Sequence, residues 1–248
     1  MDDIREADKK DEQVRLPLVE MFKTAWKPLI QGALVFAGNG VAGYMISGGF
    51  ILSYTTQDRG LDRDTILNFI SITAFVWIIT TMLSAWLSDK IGRKSTYMIG
   101  FVFQLGWVWV LFNFLETGNM TQILIGMIFW AIPIGFTYGP QAAMFAEMFP
   151  AKIRYSGAGL ANAFGAILGG AFAPLIGTYL VAETGGTTAV AIYITVVTVI
   201  AAVALLTIPN STGRDLSPAA DGDINIEIEK RAAKEGVIEA TFDRGAGF

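Results

Sequence analysis

The sequence predicts an all-α membrane protein whose six transmembrane helices form one bundle. Charged residues make up only 16% of the 248 residues, against about 25% in an ordinary soluble domain. They are also segregated: uncharged stretches cover 28–56, 65–88, 95–115, 117–146, 155–182 and 184–213. Each is longer than the roughly 20 apolar residues a helix needs to cross about 30 Å of hydrocarbon. The basic residues supply a third observation. Of 18 Lys and Arg, all but Arg59 and Arg63 fall before the first stretch, in the second–third and fourth–fifth connections, or after the sixth. The positive-inside preference makes that side cytoplasmic and puts both termini there.

Residues 1–28 form a charged cytoplasmic lead, in which "LPLVEMFKTAWKPLI" reads as a short amphipathic helix on the membrane surface. The first fifteen residues lack the apolar run of a signal peptide. The spans then follow at about 29–54, 66–87, 97–115, 122–146, 156–181 and 187–208. The connection "ETGNMT" is short, so the third and fourth spans should pack as antiparallel neighbours. Residues 209–248 form an acidic cytoplasmic tail, read as solvated and partly disordered. Gly and Pro concentrate in the first, fourth and fifth spans, and the sixth is free of both beyond its mouth. Interrupted helices survive in a membrane only where protein or a watery cavity satisfies the freed backbone. The first, fourth and fifth spans are therefore expected inside and the sixth against lipid. The first and fourth open two successive triples. Interruptions at corresponding places in two repeats point to a transporter's binding region. For any single glycine, close helix packing is the simpler explanation.

The composition also excludes. There is no Cys and no His, which removes disulfides, thiol nucleophiles, Fe–S clusters and His-based triads, and argues against zinc. No catalytic residue, metal or cofactor is expected, and the chain is not read as an enzyme. The net charge of −4 comes mostly from the two ends, which gives no reason to expect a nucleic-acid partner. A pore would show a ring of charges or a filter-like loop, and neither is visible.

Two motifs carry the function. "SDKIGRKST" is a tight polar connection between the second and third spans, with Gly92 at its turn and Asp89 at the membrane edge, where a carboxylate can meet the positive end of a helix. It resembles the loop motif of the major facilitator superfamily, Gly-x-x-x-Asp-(Arg/Lys)-x-Gly-Arg-(Arg/Lys)-(Arg/Lys). Asp89, Lys90, Gly92, Arg93 and Lys94 match it; Ala85 and Ser95 depart from it. The second motif, "AEMFPAKIRYSG", holds Glu147 and Arg154, which can pair with each other or with Arg93 and Asp89. It is similar to the metabolite:proton symporter family of that superfamily, whose members end span ten with Glu-x-Phe-Pro and begin span eleven with Arg-Tyr-Ser-Gly.

The resemblance covers about residues 15–208 and only the second half of a twelve-span transporter. It implies a 3+3 inverted repeat equivalent to helices seven to twelve, working by alternating access with a missing N-terminal six-helix half; the alternative is a self-sufficient half that pairs with a second copy. The implied activity is proton-coupled symport of a small organic solute, an organic acid or an osmolyte such as proline or betaine, across a bacterial inner membrane. Candidate cavity residues are Asn39, Tyr44, Tyr54, Trp77, Trp130, Tyr138, Gln141 and Asn162, with Asn39 and Asn162 foremost because a deep amide needs a partner. No span holds a charge, so a coupling carboxylate would come from the other half. The implied gate is Asp89, Lys90, Gly92, Arg93, Lys94, Glu147 and Arg154. Asp89 would reach a helix of the absent bundle and should be exposed in this chain alone.

Overall fold

The computed structural model describes residues 25–209 apart from 48 and 152. Residues 16–24 of the expected surface helix and all of the acidic tail but residue 209 lie outside these residues, and residues 26–30 belong to the first span. Six helical segments are long and apolar enough to cross a membrane: Trp26–Asp58, Arg63–Ile91, Arg93–Thr117, Met120–Met148, Arg154–Thr184 and Thr188–Thr207. Most overrun the uncharged limits by a few residues, because the hydrogen-bond ladder of a helix continues past the last apolar side chain.

Local chemistry sets the ends. Asp62 starts the second span by accepting the Thr65 N–H at 2.8 Å and the Thr65 hydroxyl at 2.6 Å. Asn119 starts the fourth by accepting the Thr121 and Gln122 N–H groups at 3.0 and 3.2 Å. Both are N-caps that satisfy otherwise orphan donors. Between the second and third spans the chain turns on Gly92 alone, at φ 97°, a backbone conformation that L side chains rarely adopt.

Three spans are interrupted. The first consists of Trp26–Ser47, then Gly49 at φ 87°, then Phe50–Ser53 and a π-helical stretch at Tyr54–Asp58. The fourth breaks at Gly139–Pro140, between Met120–Tyr138 and Gln141–Met148. The fifth carries a π-helical stretch at Ala166–Ala171. The main breaks of the first and fourth spans both lie in the second half of the segment, counted along the chain.

Packing shows the inverted repeat. The first span packs on the fifth and sixth, the fourth on the second and third, and the third on the sixth. Exchanging first with fourth, second with fifth and third with sixth maps this pattern onto itself. The close approaches are made by small residues. At Gly169 on the fifth span a side chain would collide with the Ala37 carbonyl of the first, and at Gly135 on the fourth it would collide with Thr80 of the second. These two contacts are counterparts under the exchange.

The apolar interior forms two clusters stacked along the membrane normal. One holds Met45, Phe50, Phe112 and Trp130; the other holds Phe36, Tyr97, Phe101, Phe145 and Leu205. Between them, on the first, third, fourth and sixth spans, sit buried polar residues: Asn39, Gln104, Thr137, Gln141 and Thr198.

The first span is the most enclosed, with 78% of its apolar window buried, and the fourth follows at 50%. The fifth is not interior as its glycines suggested. Only 33% of its window is buried, less than the 39% of the sixth. Its small residues press on the first span along one stripe, while Ile167, Leu168, Leu175 and Tyr179 on its other sides are exposed. Small residues mark one close neighbour, not general enclosure.

Gly169→Val should lower stability in detergent by about 1–3 kcal/mol through overpacking. Gly106→Ala, where a methyl would meet nothing within 4 Å, should leave the melting temperature unchanged or slightly raised. Thermal unfolding followed by circular dichroism compares the two.

Candidate functional site

The buried polar residues organise into two networks. In the first, the Thr137 hydroxyl donates to Asn39 Oδ1 at 2.7 Å, Asn39 Nδ2 donates to Gln141 Oε1 at 2.8 Å, and Gln141 Nε2 donates to Asn162 Oδ1 at 3.1 Å. The buried Tyr97 hydroxyl also donates to Gln141 Oε1, at 3.3 Å. This chain ties the first, third, fourth and fifth spans together, and it runs from the closed interior to an exposed residue: Asn39 and Thr137 are buried, whereas Asn162 lies open.

The direction of the chain matters. Each amide turns its oxygen inward, toward the previous donor. The end of the relay is therefore the Asn162 NH2 group, a donor presented at the open face. Tyr97 fixes that sense, because its buried hydroxyl needs an acceptor and Gln141 Oε1 supplies one.

Three aromatic residues of the expected cavity set lie outside the apolar core or at its edge. Trp77 and Tyr138 form an edge-to-face pair with centroids 5.6 Å apart and planes at 89°. The tip of the Trp77 ring lies 3.5 Å from where a Gly43 side chain would begin, and the Tyr44 ring lies over Gly170 of the fifth span. Tyr44 and Tyr138 are 39% and 45% exposed. Trp77 thus joins Tyr138 of the fourth span and reaches the first span beside Tyr44, while Asn162 of the fifth is tied to Gln141. Of the other four expected cavity residues, Asn39 and Gln141 are buried within the relay, and Trp130 and Tyr54 are buried in the apolar core. Trp130 is fully buried, its indole N–H donating to the Ala42 carbonyl at 3.2 Å. Tyr54 is buried, stacked on Phe50, and its hydroxyl accepts from Arg59 Nε at 3.0 Å. Both place a large ring in the apolar core and spend the polar atom internally.

A second network escaped the sequence reading. Gln104 Nε2 donates to the Gly38 carbonyl at 2.9 Å and to the Thr198 hydroxyl at 2.7 Å, joining the third, first and sixth spans. A lone amide at the middle of an apolar span was the available signal, the same one that singled out Asn39.

At one end of the bundle the polar connection is fully engaged. Arg93 pairs with Asp89, donates to Ser88 Oγ at 3.0 Å, and holds its Nε 3.6 Å from Glu147 Oε1. Lys94 Nζ donates to the carbonyls of Leu206 and Ile208 at 2.8 and 2.7 Å, closing the C-terminal end of the sixth span. The Lys90 ammonium sits 3.8 Å from the centre of the Trp86 ring. Arg154 Nε donates to the carbonyls of Ala146 and Phe149 at 3.0 and 3.3 Å, at the end of the fourth span. The Asp89 side chain is 66% exposed, whereas those of Arg93 and Glu147 are 15% and 6% exposed. At the opposite end Glu116 accepts the Thr187 N–H at 2.6 Å and its hydroxyl at 2.8 Å, where the sixth span begins.

Six apolar helices with internal two-fold pseudo-symmetry and a polar cluster opening on one side define an integral membrane protein with the architecture of a transport bundle. Residues 15–242 match the family model of the Major Facilitator Superfamily. The ectoine/proline transporter ProP of Corynebacterium glutamicum is 28% identical over 214 residues, 85% of this chain and 42% of its own length. The shikimate transporter of Escherichia coli is 33% identical over 164 residues, 65% of this chain and 37% of its own. Among solved structures, the inward-open xylose transporter XylE from E. coli superposes with a TM-score of 0.55 at 19% identity, covering 92% of this chain and 58% of that one. This last likeness is one of fold. The chain belongs to the major facilitator superfamily, and it spans about half the length of the curated relatives it matches or less.

Asn39 and Gln141 should be energetically coupled. A double-mutant cycle with Asn39→Ala and Gln141→Ala, read by unfolding in detergent, should give about 0.6 to 1.7 kcal/mol. At the basic end, Glu147→Ala should cost about 3 kcal/mol or more because it strips a partner from the largely buried Arg93. Asp89→Asn should cost less than about 1 kcal/mol, as for an exposed pair.

Proposed function

We propose that this chain is the C-terminal six-helix half of a proton-coupled secondary transporter for a small organic solute, working by alternating access against an N-terminal six-helix bundle. The observation that carries the reading is the hydrogen-bond relay that leads from the buried Asn39 through Gln141 to the exposed Asn162 on the fifth span. Superfamily membership and the half-length match to transporters of ectoine/proline and of shikimate support it.

The basic end acts as the gate in this reading. Arg93, Glu147 and Lys94 form a fixed frame, and Asp89, exposed at its edge, meets a helix start of the partner bundle. Lys90, Gly92 and Arg154 shape that frame. The end carrying it is cytoplasmic, with residues 1–28 and 209–248 on the same side, and the membrane is the bacterial inner membrane. The uncharged stretches of this half hold no carboxylate at mid-depth, so the proton-coupling carboxylate is assigned to the other.

Uptake into proteoliposomes under a proton gradient tests this directly. The chain joined to a six-span N-terminal bundle should accumulate solute, and the chain alone should not. Accumulation by the chain alone would sink the half-transporter reading; a specific cross-linked dimer would then favour a self-paired half. In the joined protein, Asp89→Asn and Arg154→Ala should each cut uptake at least tenfold with the solute's binding retained, and uptake at the unaltered rate in both would count against the gate.

A further inference from the structure

We infer that Asn39 is a positioning residue: its side chain splints the break in the fourth span, and so sets where the short helix Gln141–Met148 and its Glu147 stand. The splint stands on geometry; its bearing on transport rests on the gate proposed above.

The fourth span needs such a tie. Pro140 has no N–H, so the Phe136 carbonyl loses the ladder partner it would otherwise find four residues on. The main chain is weakest between Tyr138 and Gln141, where one helix of this span ends and the next begins. Asn39 bridges that point from the first span. Its Oδ1 accepts from the Thr137 hydroxyl, before the break, at 2.7 Å, and its Nδ2 donates to Gln141 Oε1, after the break, at 2.8 Å. The Thr137 hydroxyl stands closer to Asn39 than to the carbonyls of its own turn, Ile134 at 2.9 Å and Pro133 at 3.2 Å. An amide suits the task because it carries an acceptor and a donor side by side. Asn39 is buried, so water does not compete for either bond. The break itself is pressed on the second span: a side chain at Gly139 would collide with Ser84 Oγ and the Thr81 carbonyl. A break that cannot slide, with one amide clasped across it, is held at one bend.

The short helix beyond the break is anchored at its far end as well. Glu147 Oε1 lies 3.6 Å from Arg93 Nε, and Arg154 Nε donates to the carbonyls of Ala146 and Phe149. Gln141 and Glu147 belong to one helix of about two turns. The buried amide and the ion pair at the basic end therefore position the same rigid body. Without Asn39 the helix keeps its tethers at the basic end, and the bend above it is free to vary.

The test is double electron–electron resonance on the full chain in lipid nanodiscs. The chain has no Cys, so spin labels are placed by substitution alone. Labels at Ile125→Cys and Ala146→Cys, about 30 Å apart along the span, read its bend. Labels at Ile99→Cys and Ala146→Cys read the seat of the short helix beside the third span. Each pair should give one narrow distance distribution. Asn39→Leu keeps the branched shape and loses both bonds; Thr137→Val loses only the bond before the break. Each should at least double the width for both pairs. Thr137→Ser retains the hydroxyl and should keep the narrow distributions. Thr198→Val removes a buried hydroxyl of the other network and should leave both widths unchanged, which separates a splint from general loosening. Folding of every variant is verified by its melting transition, and if Asn39→Leu does not fold the two Thr137 variants carry the test. Unaltered widths in Asn39→Leu or Thr137→Val would overturn the splint and leave the transport role untouched. Equal broadening in Thr198→Val or Thr137→Ser would overturn it too.

Discussion

The hydrogen bond from Asn39 to Gln141 expresses the constraint on which the rest of the bundle depends. An amide at mid-depth in a membrane has no water to turn to, and leaving it unpaired costs several kcal/mol. Asn39 meets that demand only if the first and fourth spans hold one register, with Thr137 and Gln141 on the facing surface. Gln104 places a parallel demand on the first, third and sixth spans by reaching both Gly38 and Thr198. Apolar packing has little preference for one sliding position over another in lipid, whose tails are as apolar as leucine. The amides supply that preference, and the glycines at 135 and 169 let the backbones come close enough to honour it.

The ends of the bundle follow a related logic. The third span holds the sixth at both termini, with Lys94 on its last carbonyls and Glu116 on its first N–H. Cation at the C-terminus and anion at the N-terminus is the arrangement that complements a helix dipole. The second, third and sixth spans are unbroken, whereas the first and fourth are interrupted at Gly49 and at Gly139–Pro140 and the fifth carries a π-helical stretch at Ala166–Ala171. Bending costs least where the ladder is already open. The molecule is thus stiffest along the second, third and sixth spans, and its interruptions fall in the first, fourth and fifth, three of the four spans that the polar relay joins.

Much of this was legible in the order of residues. Six spans, their approximate limits, and the turn on Gly92 all follow from charge segregation and backbone sterics. The reading that a deep amide requires a partner singled out Asn39 and Asn162; both are bonded to Gln141, but only Asn39 is buried. It stopped short of Gln104, to which the same reasoning applied, and it could not separate Trp130 and Tyr54 from Tyr138 and Tyr44. All four are amphipathic aromatics in glycine-rich spans. Which of them turns inward depends on the rotation of each helix about its axis, and nearly uniform hydrophobicity leaves no polar stripe from which that rotation can be read.

The sequence by itself determined that the chain is a six-span membrane bundle, because burying charge in hydrocarbon is too costly to allow another solution. It also determined that one end carries a dense basic connection. Only the tertiary structure decided which partners those groups take. Arg93 turned to Glu147, Lys94 to the end of the sixth span, and the amides aligned into a relay that ends at the exposed Asn162. The physical reason is that hydrogen bonds are directional and short, so their pairing waits on helix rotation and register, which long-range packing sets and local sequence does not.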